Sequence, residues 1–257
     1  MDFVVNSEIN LRKRILNFFE SNDKAKSSLK YFLDDISLFI DPYIFGGAIR
    51  DIALLGAKKF YSDIDIVFER RDDKFSIESF LSTYTYDKNK FGGYRVDIEG
   101  WYVDIWEAKE SWAFKNGITY NSITSLLNTT ITNWDQALFD WNEKKLIVSK
   151  NYINDLRKGY LDLIFKPNPN PIGQSIKILH FYANKNAHLI SNNMIFKIKE
   201  ILDTYSYEEL KDYEFKSYHR NYITKETYNF LASNTNIEKP DLLPIKLDNI
   251  HSSLDLF

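Results

Sequence analysis

The 257-residue chain, 30.4 kDa, is long enough for one large or two modest domains, which excludes a peptide-sized scaffold that depends on staples. It has 44% hydrophobic and 27% charged residues with 9 Gly and 6 Pro, a composition that supports a sizeable core and excludes disordered and fibrous classes. Cysteine is absent, which removes disulfides, thiolate nucleophiles, iron–sulfur clusters and thiolate zinc sites; 33 Lys and Arg against 36 Asp and Glu leave a net charge of -3, so no global attraction draws the chain to nucleic acid or an anionic membrane. The N-terminal MDFVVNSEINLRKR has no apolar core behind a basic start, and no run reaches the roughly 18 apolar residues of a membrane span. A soluble, cytoplasmic protein with no membrane contact is the expectation.

Leu11, Ile15, Leu16, Phe18 and Phe19 mark the apolar stripe of a helix over residues 7–20, and Leu29, Phe32, Leu33, Ile36 and Phe39 mark a second over 27–39. Asp41 and Pro42 break the pattern, and a short apolar run, Tyr43 to Phe45, ends at Gly46 and Gly47. Ile49, Ile52, Ala53 and Leu55 then predict a short helix that stops at Gly56. The segment SDIDIVF, residues 62–68, alternates as a strand does, with Asp63, Asp65 and Val67 on one face. A helix over 74–81 and a polar segment follow. Residues 94–98 and 101–106 read as two strands joined by a tight Glu99-Gly100 turn. Residues 118–128 fit a helix, and 134–148 fit strands or an ordered loop. KPNPNPIG, residues 166–173, opposes a continuous helix with three alternate prolines and marks the domain boundary. Beyond it an all-helical region is expected, beginning with Ile176, Leu179, His180, Ala183 and Ala187 and continuing in helices over 194–204, 207–216 and 224–232.

Three pieces carry chemistry: Gly46-Gly47 followed by Arg50-Asp51, the pair Asp63 and Asp65, and Asp104 in VDIW on a later predicted strand. Two carboxylates at i and i+2 on a strand, joined by a third from a neighbouring strand, can bracket two divalent cations about 4 Å apart and serve triphosphate chemistry. Asp97 competes with Asp104 for the third place. Asp104 is preferred because it lies inside an apolar strand, where a charge without metal or partner is costly. The glycines allow close approach of phosphate to backbone amides. Arg50 is a candidate phosphate contact or a brace for a carboxylate, and Asp51 is expected to orient that arginine or the loop. His180 and His188 lack the paired spacing of a zinc site. The five tryptophans, Trp101, Trp106, Trp112, Trp134 and Trp141, are expected to pack cores rather than stack a base.

Phe45-Gly-Gly-Ala-Ile-Arg-Asp51, Leu54-Leu55-Gly56 and Ser62-Asp63-Ile-Asp65-Ile66 together resemble the head-domain signature of poly(A) polymerases and tRNA CCA-adding enzymes, within the polymerase-beta-like nucleotidyltransferases. The resemblance implies that Asp63 and Asp65 hold catalytic Mg²⁺, two ions with Mn²⁺ as an alternative, and matches the third carboxylate best to Asp104. Asn121-Ser-Ile-Thr-Ser-Leu-Leu127 loosely resembles the segment after the catalytic strands, and Asp155-Leu-Arg-Lys-Gly159 the stretch that closes the head domain. Asn121 and Arg157 are thereby candidate nucleotide contacts, alongside Gly46, Gly47 and Arg50, and Lys177-Ile-Leu-His180 sits where a helical neck begins.

The implied fold is an α/β (α+β) nucleotidyltransferase fold with a mixed sheet over residues 1–165, followed by a small all-helical, neck-like domain over 171–257. The implied activity is transfer of a nucleoside monophosphate from a nucleoside triphosphate such as ATP to a hydroxyl, with an RNA or tRNA 3′ end as the leading acceptor. The basic nucleotide-selecting motifs of a full CCA-adding enzyme do not follow the DxD. Residues 166–257 are moreover neutral, with 11 basic and 11 acidic side chains, so a protein or small-molecule acceptor, as in toxin or phage-defence systems, and a non-catalytic nucleotide-binding module stand as alternatives.

Overall fold

The computed structural model describes residues 3–60, 62–235 and 245–247. The chain forms two compact units, one of residues 1–130 and 134–157, the other of 131–133 and 158–257.

The first unit opens with α1 (Glu8–Phe19) and α2 (Lys24–Ile36), whose N-caps Ser7 and Asp23 accept hydrogen bonds from the amides of Asn10 and Lys26. α1 buries Leu11, Ile15, Phe18 and Phe19; α2 buries Leu29, Phe32, Leu33 and Ile36. Each such side chain contributes about 1.5–3 kcal/mol on leaving water. Then come β1 (Ile40–Phe45), α3 (Gly47–Leu55), β2 (Ile64–Arg70), a short α4 (Ile77–Leu81), β3 (Thr85–Lys88), β4 (Tyr94–Ile98), β5 (Trp101–Glu107), β6 (Ala137–Asp140), β7 (Lys145–Val148) and α5 (Tyr152–Lys158). The seven strands make one mixed sheet in the order β3-β4-β5-β2-β1-β6-β7. β2 and β5 pair in parallel and the other neighbours antiparallel.

Alternation along the strands divides the two faces. Ile64, Ile66, Val103 and Ile105 are buried, and on their side Phe18 of α1 packs edge-on against Trp101 of β5 and against Phe60. On the other side Tyr43, Val67 and Leu138 form a smaller cluster with Ala108, Ile123 and Leu126. That cluster covers only part of the face, and the strand ends beside it carry the acidic residues.

Several sequence expectations are corrected here. The expected polar segment contains β3, an edge strand with exposed Thr85, Asp87 and Lys88; its lack of an apolar stripe hid it, and charge on an edge is how sheets avoid unwanted pairing. The helix expected over 118–128 is a 3-10 segment, Ile123–Thr129, opened by a capping box between Ser122 and Ser125. The expected Glu99-Gly100 hairpin is present, with both residues at positive φ, 52° and 87°, as a two-residue primed turn requires.

The second unit is not all-helical. It contains α6 (Pro171–Ala183), α7 (Asn192–Thr204), α8 (Tyr207–Tyr218) and α9 (Lys225–Asn234), together with β8 (Tyr160–Leu161), β9 (Leu189–Ile190) and β10 (Ile245–Lys246) in a three-stranded sheet. Two-residue strands leave no periodicity to read in sequence. The units divide at Arg157 and Lys158, ahead of the proline run. The third proline, Pro171, begins α6 instead, with the Asn170 side chain capping the amide of Gly173; proline at the first helical position forfeits no helical hydrogen bond. The expected tail beyond residue 247 and the stretch 236–244 lie outside the described residues.

A buried acid organises this unit. Glu214 of α8 has no exposed surface; it meets Nε2 of His180 at 2.6 Å and accepts the amides of Tyr222 and Ile223. His180 thus has a structural partner, and its ring packs against Tyr218 and Tyr222. Replacing Glu214 with Ala strands two backbone donors and the imidazole, and is expected to lower stability by about 2 kcal/mol, read as a drop in the urea midpoint; an unchanged midpoint contradicts this role.

Candidate active site

The site is built on one row of residues across the sheet. Arg95 of β4 lies opposite Asp104 of β5, Asp104 opposite Asp65 of β2, and Asp65 opposite Phe45 of β1. Opposed residues share a face, so the register alone brings Asp65 and Asp104 side by side. Asp63 sits one residue ahead of β2 and joins them from the strand's open end. The Arg95 guanidinium ties the group together: Nε donates to Asp104 Oδ1 at 2.8 Å, and Nη2 donates to Asp104 Oδ2 at 2.5 Å and Asp63 Oδ2 at 2.9 Å. Burial raises the Asp63 carboxyl above its ordinary value, as does the neighbouring charge of Asp104, while Arg95 opposes both. The Arg95 guanidinium is itself held more firmly protonated by its hydrogen bonds to Asp104 and by the charges of Asp104, Asp63 and Asp65.

Asp97 stands elsewhere. Its Oδ1 accepts the amide of Gly100 at 2.9 Å and stabilises the β4–β5 turn. The geometry therefore brings Asp104, rather than Asp97, to Asp63 and Asp65.

The row ends at Phe45, and the next two residues open α3. Gly46 has φ 61° and ψ -106°, a conformation that strains any residue with a Cβ. Its own amide is engaged with the carbonyl of Ala137 at 2.9 Å, so an anion would be met by the amides that follow it at the first turn of α3, where the cap residue supplies no side-chain acceptor. Gly47 lies directly over Arg50: a Cβ there would come within 3.5 Å of Nη2.

Arg50 does not face outward. It is 6% exposed and its fork is engaged with two buried carboxylates, Asp51 through Nε and Nη2 and Asp135 through Nη1. Of the two roles open to it, phosphate contact or brace for a carboxylate, this placement is that of a buried brace between the start of α3 and the segment before β6. Asn121 is exposed ahead of the 3-10 segment, its amide donating to Ser125 Oγ at 3.1 Å. Arg157 is exposed on α5. Of the tryptophans, Trp134 and Trp141 are fully buried, Trp101 stacks on Phe60, and Trp106 donates to Ser111 Oγ.

Two participants escaped the sequence reading. Asp135 lies far from Arg50 in the chain, and nothing local marks it. Arg95 was within reach: a two-residue turn at Glu99-Gly100 fixes the pairing of 98 with 101, and counting outward puts Arg95 opposite Asp104.

Whether this group suits a divalent cation can be judged from its donors. Carboxylate oxygens on one face are hard ligands of the right kind, and a guanidinium already stands at two of them as a cation. Among the described residues, however, no three Asp, Glu or His side chains close into a metal-holding group.

The mixed sheet thus carries carboxylates on adjacent parallel strands, next to the Gly-Gly start of a helix. No family model matches the sequence, and no curated protein matches it. Solved structures do: a CCA-adding enzyme in complex with CTP is 16% identical with a TM-score of 0.60, matching 90% of this chain and 55% of that one. The Thermotoga maritima CCA-adding enzyme complexed with tRNA is 19% identical with a TM-score of 0.59, over 90% and 54%. A CCA-adding enzyme complexed with ATP is 18% identical with a TM-score of 0.53, over 87% and 52%. The likeness is one of fold, and the chain spans about half the length of these structures. No helix among the described residues is long and apolar enough to cross a membrane.

Proposed function

We propose that the chain is a nucleotidyltransferase that moves a nucleoside monophosphate from a nucleoside triphosphate to a hydroxyl, with the 3′ end of a tRNA as acceptor. The observation that carries this reading is the continuous row from Asp104 and Asp65 through Phe45 to the opening of α3, on a fold shared with CCA-adding enzymes. In the reaction the acceptor oxygen bonds to the α-phosphorus, the bond from that phosphorus to the bridging oxygen breaks, and pyrophosphate leaves with the electron pair.

Asp63, Asp65 and Asp104 are the residues that would hold Mg²⁺, and the metal would supply Lewis acidity to the phosphates and lower the pKa of the attacking hydroxyl. The remaining tasks belong to the chain. The first amides of α3 bind phosphate oxygens, favoured by the positive end of the helix. Arg50, buried beneath Gly47 and clamped to Asp51 and Asp135, fixes that turn so that its donors need no reorganisation during reaction. Asp104, beside Asp65 in the parallel pair, is the carboxylate assigned here to the acceptor side, to assist loss of the hydroxyl proton.

The test is incubation of the purified chain with each α-labelled nucleoside triphosphate, Mg²⁺, and tRNA with a trimmed 3′ end. Label at the RNA terminus is the expected result. Label on protein alone, or none with any nucleotide, overturns the RNA reading.

A further inference from the structure

Arg95 has no part in the transfer just described, yet it is the group most intimately joined to the carboxylates. Its fork makes two hydrogen bonds to Asp104 and one to Asp63, the same oxygens that would ligate a cation. Its Cα is fixed by antiparallel register with Asp104, so it cannot drift from the site as an arginine on a loop could. Three acidic side chains gathered on one face repel one another, and a neighbouring cation offsets that repulsion. The side chains of Arg95 and Asp63 are each 48% exposed and that of Asp104 25%, so the guanidinium has an open path to solvent. The Tyr102 ring, 5.8 Å from the guanidinium carbon to its centroid, lines that path with a surface on which a cation can rest.

We propose that Arg95 is the resident counter-ion of the carboxylate site and competes with divalent metal for Asp63 and Asp104, so that metal enters by displacing a guanidinium. The competition rests on the reading of these carboxylates as metal ligands. It predicts a site that binds metal weakly, because each ion must overcome a fork already hydrogen-bonded to its ligands.

Mn²⁺ binding to the full chain tests this directly, by electron paramagnetic resonance and titration calorimetry, with and without a non-transferable triphosphate analogue. The wild type is compared with Arg95→Gln and Arg95→Lys, each first checked for folding by circular dichroism. Arg95→Gln is expected to bind Mn²⁺ about tenfold more tightly at low salt, as removal of one charge a few ångströms away implies, with the gain shrinking as KCl rises. Arg95→Lys keeps the charge and loses the planar fork, so about a threefold gain is expected; this variant carries the test alone if Arg95→Gln does not fold. Equal or weaker binding in the variants, or no Mn²⁺ bound by any of the proteins, overturns the proposal. The outcome separates from that of the labelling experiment: tighter Mn²⁺ binding without nucleotide transfer sustains the counter-ion and removes the reaction, and transfer with unchanged Mn²⁺ affinity does the reverse.

Discussion

Asp63→Asn and Asp65→Asn are each expected to lower nucleotide transfer by about a thousandfold or more, the scale seen when a group that stabilises charge in the transition state is removed. Asparagine keeps the shape of the side chain and removes the charge. For Asp63 that turns one of the three charge-assisted hydrogen bonds of Arg95 into a neutral one, and for Asp65 it removes the charge beside Asp104 in the parallel pair. Folding should be little disturbed: the Asp63–Arg95 pair is half exposed on both sides, and exposed ion pairs contribute about 0–1 kcal/mol. Transfer rates measured alongside urea midpoints distinguish the two effects. Full turnover in both variants would show that these carboxylates do not carry the chemistry.

Arg50→Met is expected to act in the opposite way, on the fold before the chemistry. The side chains of Arg50, Asp51 and Asp135 are nearly closed off from solvent, at 7%, 8% and 4% exposed. Removing the cation leaves two buried acids facing one another, a change that costs about 3–5 kcal/mol when one partner of a buried pair is deleted. A correspondingly lower urea midpoint is the expected reading. The triple variant Arg50→Met, Asp51→Asn, Asp135→Asn should recover most of the loss, because it is the uncompensated charge, not the missing pair, that destabilises. A single variant as stable as wild type would mean that water reaches the cluster.

These two arginines show where reading from sequence succeeds and stops. The Gly-Gly turn, the DxD and VDIW are local patterns, and strand alternation places their side chains correctly; the helices of both units were equally legible from their apolar stripes, within a few residues of Glu8–Phe19, Lys24–Ile36, Asn192–Thr204 and Lys225–Asn234. The two roles of Arg50 stayed open in the sequence because motif position says nothing about whether a side chain turns outward or inward, and its second partner, Asp135, comes from a remote segment. β8, β9 and β10 were invisible because two residues cannot display a period, and β3 because a solvated edge has no buried face to announce it. The proline run was read as the domain boundary because proline is informative about what cannot continue through it, and silent about the helix that begins on it.

The parallel pairing of β2 with β5 carries a consequence for how the protein comes to be active. Asp65 and Asp104 meet across that pair, and the chain between them holds α4, the β3–β4 pairing and the β4–β5 hairpin. A hairpin closes quickly from local contacts, whereas a parallel pair has to bring together segments distant in the chain. The contact of Arg95 with Asp104 needs only that hairpin. The local contact of Arg95 with Asp104 is thus expected to precede the distant pairing that completes the carboxylate row, an order that pulsed hydrogen exchange on the β4–β5 and β2–β5 amides during refolding would read.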